Sequence, residues 1–281
     1  MERIQAAIQK AKDQRSARGV PEGMPPLGMP PMGATTSARH GRPAAGPGPA
    51  WAELEPFEPD AGLMKRHRIV TFADADEAHV SFDILRTKVL RIMRQNGWSS
   101  IGITSPTAGC GKTTTSLNLA FSLAHQPDVR TVLVDLDLRR PAIAHEIGLT
   151  RPQSVAGMLH GTRTIAESFV CYGDSLAIGT NATAMKHTAD LLLNPVTVQG
   201  VAALKAAFQA DIYLYDLPPM LQSDDVMAFV PHLDCVLLVA GAERSRLDEV
   251  DKCEHELSEQ TNVLGVVLNM CRYTGEDYGY Y

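Results

Sequence analysis

The stretch SSIGITSPTAGCGKTTTSLNLA, residues 99–120, sets the fold. Its first seven residues put Ile101 and Ile103 in a short apolar run of strand length, bounded by serines. Its last nine open an apolar helical pattern over 112–125. Between them Gly109 and Gly111 bracket Cys110 and lead into Lys112, Thr113 and Thr114. A strand, a glycine loop and a helix N-terminus in this order make a phosphate cradle. The glycines let backbone N–H groups approach an anion, and the helix dipole favours negative charge there. Lys112 can reach the β and γ phosphates of a nucleotide and the Thr113 hydroxyl can ligate magnesium, with Cys110 and Thr114 in the same turn. The strict spacing GxxxxGK[ST] fails at its first position, Pro106, so the assignment leans on the rest of the chain.

Outward from this stretch, strands and helices alternate. TVLVD (131–135), SLAIG (175–179), DIYLYD (211–216), DCVLLVAG (234–241) and VLGVVLN (263–269) read as strands. Helices are predicted over 76–94, near 141–147, and over 196–208, 224–230 and 245–258. The first of these carries Phe82, Leu85, Val89, Ile92 and Met93 on one face. Apolar strands separated by helices predict an α/β fold: a mainly parallel sheet covered on both faces, in three layers. No internal repeat interrupts it.

Two acidic motifs end predicted strands, at the carboxyl edge where open α/β sheets bind ligands. In TVLVDLDLRRP, Asp135 and Asp137 can orient magnesium or take the proton of an attacking hydroxyl, while Arg139 can meet phosphate or pair with the acids. In IYLYDLPP, Asp216 stands where an acid holds magnesium, often through water.

The totals restrict the remaining choices. The chain has 281 residues, 44 % of them hydrophobic, enough for one domain with appendages. A net charge of −6 argues against nucleic acid as a partner. Five cysteines without CxxC spacing mark neither a disulfide scaffold nor a cysteine zinc site. No secretory signal and no apolar run of membrane-spanning length are visible, which makes a cytoplasmic protein the expectation. Residues 1–18 place Ile4, Ala7, Ile8 and Ala11 at helical spacing. Residues 19–50 hold seven Gly and eight Pro, a composition that predicts a disordered tether. The expected division is a leader over 1–68, a nucleotide-binding domain over 69–272 and a tail over 273–281. Four of the seven tyrosines, Tyr273, Tyr278, Tyr280 and Tyr281, lie in that tail.

The phosphate loop, Asp135-x-Asp137-x-Arg139, Asp216-Leu217-Pro218-Pro219 and the closing tyrosines together resemble the bacterial tyrosine kinases of exopolysaccharide and capsule synthesis, most of all the autokinases of exosortase-linked loci. The resemblance covers about residues 69–281. It implies a P-loop NTPase fold of the MinD/ParA kind, ATP and Mg2+ as cofactors, and autophosphorylation of the four tail tyrosines. Lys112, Asp135 and Asp137 would be catalytic, and Thr113, Asp135 and Asp216 would form the metal shell. Gly109, Cys110, Gly111, Lys112, Thr113, Thr114 and Arg139 would hold the nucleotide, with Asn269 facing its base, although an Asn after a strand is also an ordinary turn residue. The implied partners are a membrane polysaccharide co-polymerase, which would recruit the chain to the inner face of the membrane, and other copies of the kinase domain.

Departures from the family pattern accompany the resemblance. The oligomer motif ExxRxxR aligns with Val80, Asp83 and Arg86, keeping only Arg86. Leu217 stands where many members have Thr, removing a hydrogen-bond donor expected beside the phosphates. Cys110, at a helix N-terminus beside Lys112, is expected to have a lowered thiol pKa. Two other functions fit parts of the pattern. A ParA/MinD-type ATPase would want a lysine where Thr107 stands, and an ATP-binding regulator without catalysis would fit the lost ExxRxxR and Leu217.

Overall fold

The computed structural model of the chain describes residues 48–72 and 79–271. In chain order its elements are β1 (Glu55–Pro56), α1 (Ala61–Arg66), α2 (His79–Asn96), β2 (Ser100–Thr104), α3 (Lys112–Ala124), β3 (Thr131–Asp135), α4 (Ile143–Ile147), α5 (Val155–Leu159), α6 (Ile165–Ser168), β4 (Phe169–Tyr172), β5 (Leu176–Gly179), α7 (Thr188–Leu193), α8 (Pro195–Phe208), β6 (Ile212–Asp216), α9 (Asp225–Phe229), β7 (Cys235–Gly241), α10 (Leu247–Ser258) and β8 (Asn262–Asn269). The eight strands form one sheet in the order β1-β4-β5-β3-β6-β2-β7-β8. Every neighbouring pair is parallel except β4 with β5.

The strand period of two sorts side chains to opposite faces. Val132, Val134, Tyr213, Tyr215, Val236 and Leu238 pack on one face against Val201, Leu204 and Phe208 of α8 and Phe229 of α9. Leu133, Ile212, Leu214, Leu237 and Val239 pack on the other against Val89 and Met93 of α2 and Leu117 and Phe121 of α3. The mainly parallel three-layer sandwich is thus built as expected, and the six predicted strands are β2, β3, β5, β6, β7 and β8. Strands β1 and β4 were not predicted. β1 has only two residues, one of them proline, and no periodicity can show in it. β4 follows directly on α6, whose start carries a capping box from Thr164 and Glu167, so its four residues lack a turn signal before them.

The leader boundary is corrected by the packing. The expected leader runs to residue 68, yet residues 48–72 lie on the domain. Trp51 donates its Nε1–H to the Phe208 carbonyl at 2.8 Å, at the C-terminal end of α8, and its ring meets the Phe208 ring edge-on. Leu54, Met64 and Ile69 are buried. Asn118 of α3, itself fully buried, accepts from Val70 N–H at 2.8 Å and donates to the Arg68 carbonyl at 3.0 Å. Composition hid this segment, because its glycines and prolines masked the apolar anchors Trp51, Leu54, Met64 and Ile69. The expected helix over 1–18, the tether before residue 48 and the four tail tyrosines lie outside the described residues.

Arg86 has an internal role. Its Nη1 donates to Asp83 Oδ1 at 2.7 Å and to the Ser122 carbonyl at 3.1 Å, and Ser122 Oγ donates to the same Asp83 oxygen at 2.9 Å. The one residue kept from the ExxRxxR pattern therefore clamps α2 to α3.

Candidate active site

The site lies where β2, β3 and β6 end. Gly109 and Gly111 both take positive φ, 79° and 82°, as the loop turns into α3. A side chain at Gly111 would overlap Asn269 Nδ2. That amide donates to the Cys110 carbonyl at 3.0 Å, so Asn269 braces the phosphate loop from the end of β8. Arg244, just past β7, donates to the Gly109 carbonyl at 3.3 Å. From the other side, the chain after Asp216 holds residues 105 and 106 through Met220 N–H and Leu221 N–H.

Lys112, first residue of α3, sends its ammonium to Asp137 Oδ2 at 2.7 Å, with Asp216 Oδ2 at 3.9 Å. Burial would lower its pKa, but Asp216 and then Asp137 outweigh burial and raise it, so Lys112 stays charged. Thr113 Oγ1 donates to Asp216 Oδ2 at 2.7 Å and Ser116 Oγ to Asp216 Oδ1 at 2.9 Å. Both hydroxyls come from the first turns of α3, so the helix that starts the phosphate loop also grips the acid of β6.

Asp135 and Asp216 are fully buried. Burial pushes the Asp135 carboxyl well above the usual aspartate range, with Asp216 adding to it and Lys112 opposing. Its oxygens accept from Asp137 N–H and Ile143 N–H, each at 3.2 Å. Burial also raises Asp216, against the pull of Lys112, Thr113 and Ser116. Three carboxylates thus converge on one ammonium, and two of them hold protons more tightly than normal. That surplus of negative charge is the complement of a divalent cation, and the hard oxygen donors of Thr113, Asp135 and Asp216 suit Mg2+.

Two sequence expectations are altered. Arg139 was expected to face the nucleotide or pair with Asp135 and Asp137. It instead grips Asp225 of α9, with Nε to Oδ2 at 3.0 Å and Nη2 to Oδ1 at 3.1 Å. Thr188 Oγ1 completes this network at 2.7 Å from Asp225 Oδ2. Leu217 is fully buried and lies against Gly102 within the core, so its replacement of Thr takes no donor from the loop in this arrangement.

Cys110 is buried and its pKa is lowered, as expected, by another route. Burial alone would raise it; hydrogen bonds from Ser245 and Thr107 and from the Gly241 backbone bring it down. Thr114 sits in the first turn of α3, its carbonyl accepting from Asn118 Nδ2 at 2.8 Å. Residues the sequence did not single out are Ser116, Arg244, Ser245 and Asp225. Arg244 and Ser245 stand beyond the carboxyl end of a predicted strand, which is the signal that could have found them.

A phosphate loop at the head of a helix, two acids at neighbouring strand ends and a parallel sheet define a P-loop nucleotide-binding protein. Residues 101–277 match the model of the CobQ/CobB/MinD/ParA nucleotide binding domain. The chain belongs to that family, and the relatives it resembles within it are named tyrosine-protein kinases. It is 31 % identical over 210 residues to EpsB of Ralstonia nicotianae, a match covering 73 % of this chain and 27 % of that protein. The chain therefore spans about a quarter of EpsB's length. It is 26 % identical over 204 residues to the tyrosine-protein kinase CpsD of Streptococcus agalactiae, covering 71 % of this chain and 86 % of CpsD. Among solved structures, the kinase domain of VpsO superimposes with a TM-score of 0.61 at 29 % identity, over 69 % of this chain and 97 % of that one. The kinase domain of the Escherichia coli tyrosine kinase ETK gives 0.65 at 24 % identity, over 75 % and 84 %, a likeness of fold. Among the described residues no helix is long and apolar enough to cross a membrane.

Proposed function

We propose that the chain is an ATP-dependent protein-tyrosine autokinase whose substrates are Tyr273, Tyr278, Tyr280 and Tyr281 of its own kind, and that it regulates exopolysaccharide synthesis. The observation that carries this is the Lys112–Asp137 ion pair set beside the Thr113–Asp216 hydrogen bond at the phosphate loop. CpsD, named a tyrosine-protein kinase, is similar over most of its length, and this chain carries four tyrosines in residues 273–281.

The backbone N–H groups of residues 109–114 hold the ATP phosphates, and Lys112 moves its charge from Asp137 to the β and γ phosphates. Thr113, Asp216 and Asp135 hold Mg2+, which when bound neutralises the charge building on the transferred phosphoryl group. Asp135 or Asp137 takes the proton of the incoming phenol. Asp137 holds Lys112 in line. Asn269 and Arg244 keep the loop rigid, so the transfer is mainly positioning and charge neutralisation. A membrane polysaccharide co-polymerase is the activating partner and brings the chain to the inner face of the membrane. Copies associate through surfaces that do not need Arg86.

Intact mass after incubation with Mg-ATP tests the proposal. The wild type gains one or more phosphates, while Lys112→Met and a variant with the four tail tyrosines changed to Phe gain none. No gain in the wild type, even with a cytoplasmic fragment of the co-polymerase present, would instead favour an ATP-binding regulator without catalysis.

A further inference from the structure

The geometry points to a second metal site, for a transition-metal cation of the zinc class, formed by His67, His145 and Glu146. His67 caps the C-terminal end of α1, and His145 and Glu146 are consecutive residues of α4. One ligand atom from each of the three side chains lies within 4.8 Å of the other two. Zinc bonds of about 2.0–2.2 Å to imidazole and carboxylate place tetrahedral ligand atoms about 3.4 Å apart. Rotations that move the side-chain tips by roughly 1 Å reach that spacing, with no shift of backbone required by the bond lengths.

The present contacts join two of the ligand atoms to each other. His67 Nδ1 lies 2.6 Å from Glu146 Oε2, an ion-pair distance, yet that nitrogen is shielded from solvent and makes no hydrogen bond. A shielded ring nitrogen without a hydrogen bond is costly, and a shared cation would satisfy it. The two imidazoles are stacked, with centroids 5.3 Å apart and planes at 25°, and a nitrogen of each lies within 4.8 Å of the other and of a Glu146 oxygen. The side chains of His67 and Glu146 are 18 % and 28 % exposed, which leaves an entry path and a fourth position for water. Two nitrogens and one carboxylate oxygen suit Zn2+ far better than Mg2+, which takes oxygen donors.

The position gives such an ion a task. It would join α1, which belongs to the segment that ties residues 48–72 to the domain, to α4. The first N–H of α4, from Ile143, is the one that holds Asp135 Oδ2. A bound ion would therefore fix the leader segment and the helix that positions a site carboxylate at once. The site does not depend on the kinase assignment.

Zinc titration of the full chain tests it, without a histidine tag and with Mg-ADP present in excess to occupy the phosphate site. In competition with a chromophoric chelator the wild type binds one Zn2+, and His67→Ala, His145→Ala and Glu146→Gln each weaken it by more than about tenfold, the scale on which even outer partners of a metal site act. Co2+ in place of Zn2+ gives tetrahedral d–d absorption without a thiolate charge-transfer band. Hydrogen exchange of α1 and α4 slows on adding Zn2+ in the wild type and not in His145→Ala, a readout independent of activity. Absence of saturable binding, binding undiminished in the three variants, or a thiolate band would each overturn the proposal and leave the group as a stacked histidine pair with an ion pair.

Discussion

Asp135 and Asp216 are register partners at the carboxyl ends of the adjacent strands β3 and β6, both fully buried, with the Lys112 ammonium set between Asp216 and Asp137. The pairing follows from chain direction: parallel strands of equal length bring their last residues side by side. It concentrates negative charge where a nucleotide's metal belongs.

That concentration has a sign in stability. A carboxyl whose folded pKa lies above its unfolded value gives stability that is complete below the unfolded value, about 3.9 for aspartate, and is lost as the pH rises through the folded value. Asp216 is such a group. Without metal, Asp216→Asn is expected to melt a few degrees above the wild type at neutral pH, and the gap to close as the pH falls toward about 4. Its phosphoryl transfer should fall by at least ~100-fold, the scale of losing one preorganised charge-stabilising group. A wild type that melts higher at neutral pH would contradict the reading of this acid.

Arg139 is expected to matter for stability more than for nucleotide binding. Arg139→Ala leaves the buried Asp225 carboxylate with Thr188 as its remaining side-chain partner. Loss of a partner to a buried group costs about 1–3 kcal/mol. Denaturant unfolding should register that loss while the affinity for ATP stays within about threefold, well under one tenfold step of 1.4 kcal/mol. A large drop in ATP affinity at unchanged stability would return Arg139 to the nucleotide.

Tyr215 offers a stabilising change. Its ring, on β6, is packed against Phe229 of α9, and its hydroxyl is buried without a hydrogen-bond partner. Removing an unsatisfied buried hydroxyl relieves its desolvation cost. Tyr215→Phe should therefore raise stability by about 1 kcal/mol with kinase activity unchanged, as read by urea unfolding and phosphate incorporation. A destabilised Phe variant would mean that the hydroxyl has a partner.

The cysteines should alkylate in a set order at neutral pH. Cys271 is exposed and reacts first. Cys235 and Cys253 are buried, and burial pushes their thiols up to about 12 and about 11, so they stay inert. Cys110 has a lowered pKa but a covered sulfur, so its reaction waits for the phosphate loop to open. In a background with Cys171→Ser and Cys271→Ser, mass-resolved alkylation should be confined to Cys110 and slowed by Mg-ADP. Indifference to nucleotide would separate Cys110 from the binding site.

The sheet was legible because β2, β3, β6 and β7 are buried along their whole length and read as short apolar runs, while β8 keeps the same apolar run at the half-exposed sheet edge. Lys112, Thr113 and Asp216 were legible because their spacing from strand and helix ends is fixed by phosphate chemistry. Arg139 was not, since a guanidinium two residues from one acid and four from another has several carboxylates to choose from, and the winner, Asp225, lies 86 positions away. The anchors of residues 48–72 were hidden for a related reason. Trp51 and Asn118 make sense only as partners of a distant carbonyl and a distant backbone segment, which no local period records. His67 and His145 meet only once α1 and α4 are folded together.

The brace between Asn269 and Cys110 also fixes where the last ten residues begin. β8 ends against the phosphate loop, so residues 272–281 are leashed within about 35 Å of Cys271, the span of ten extended residues. Tyr273 is held within about 7 Å of it. A substrate on the same chain has an effective concentration set by the length of the connecting chain, whatever the concentration of the protein. Dilution therefore tells two geometries apart: transfer within one chain keeps its rate, and transfer between copies slows as the copies separate.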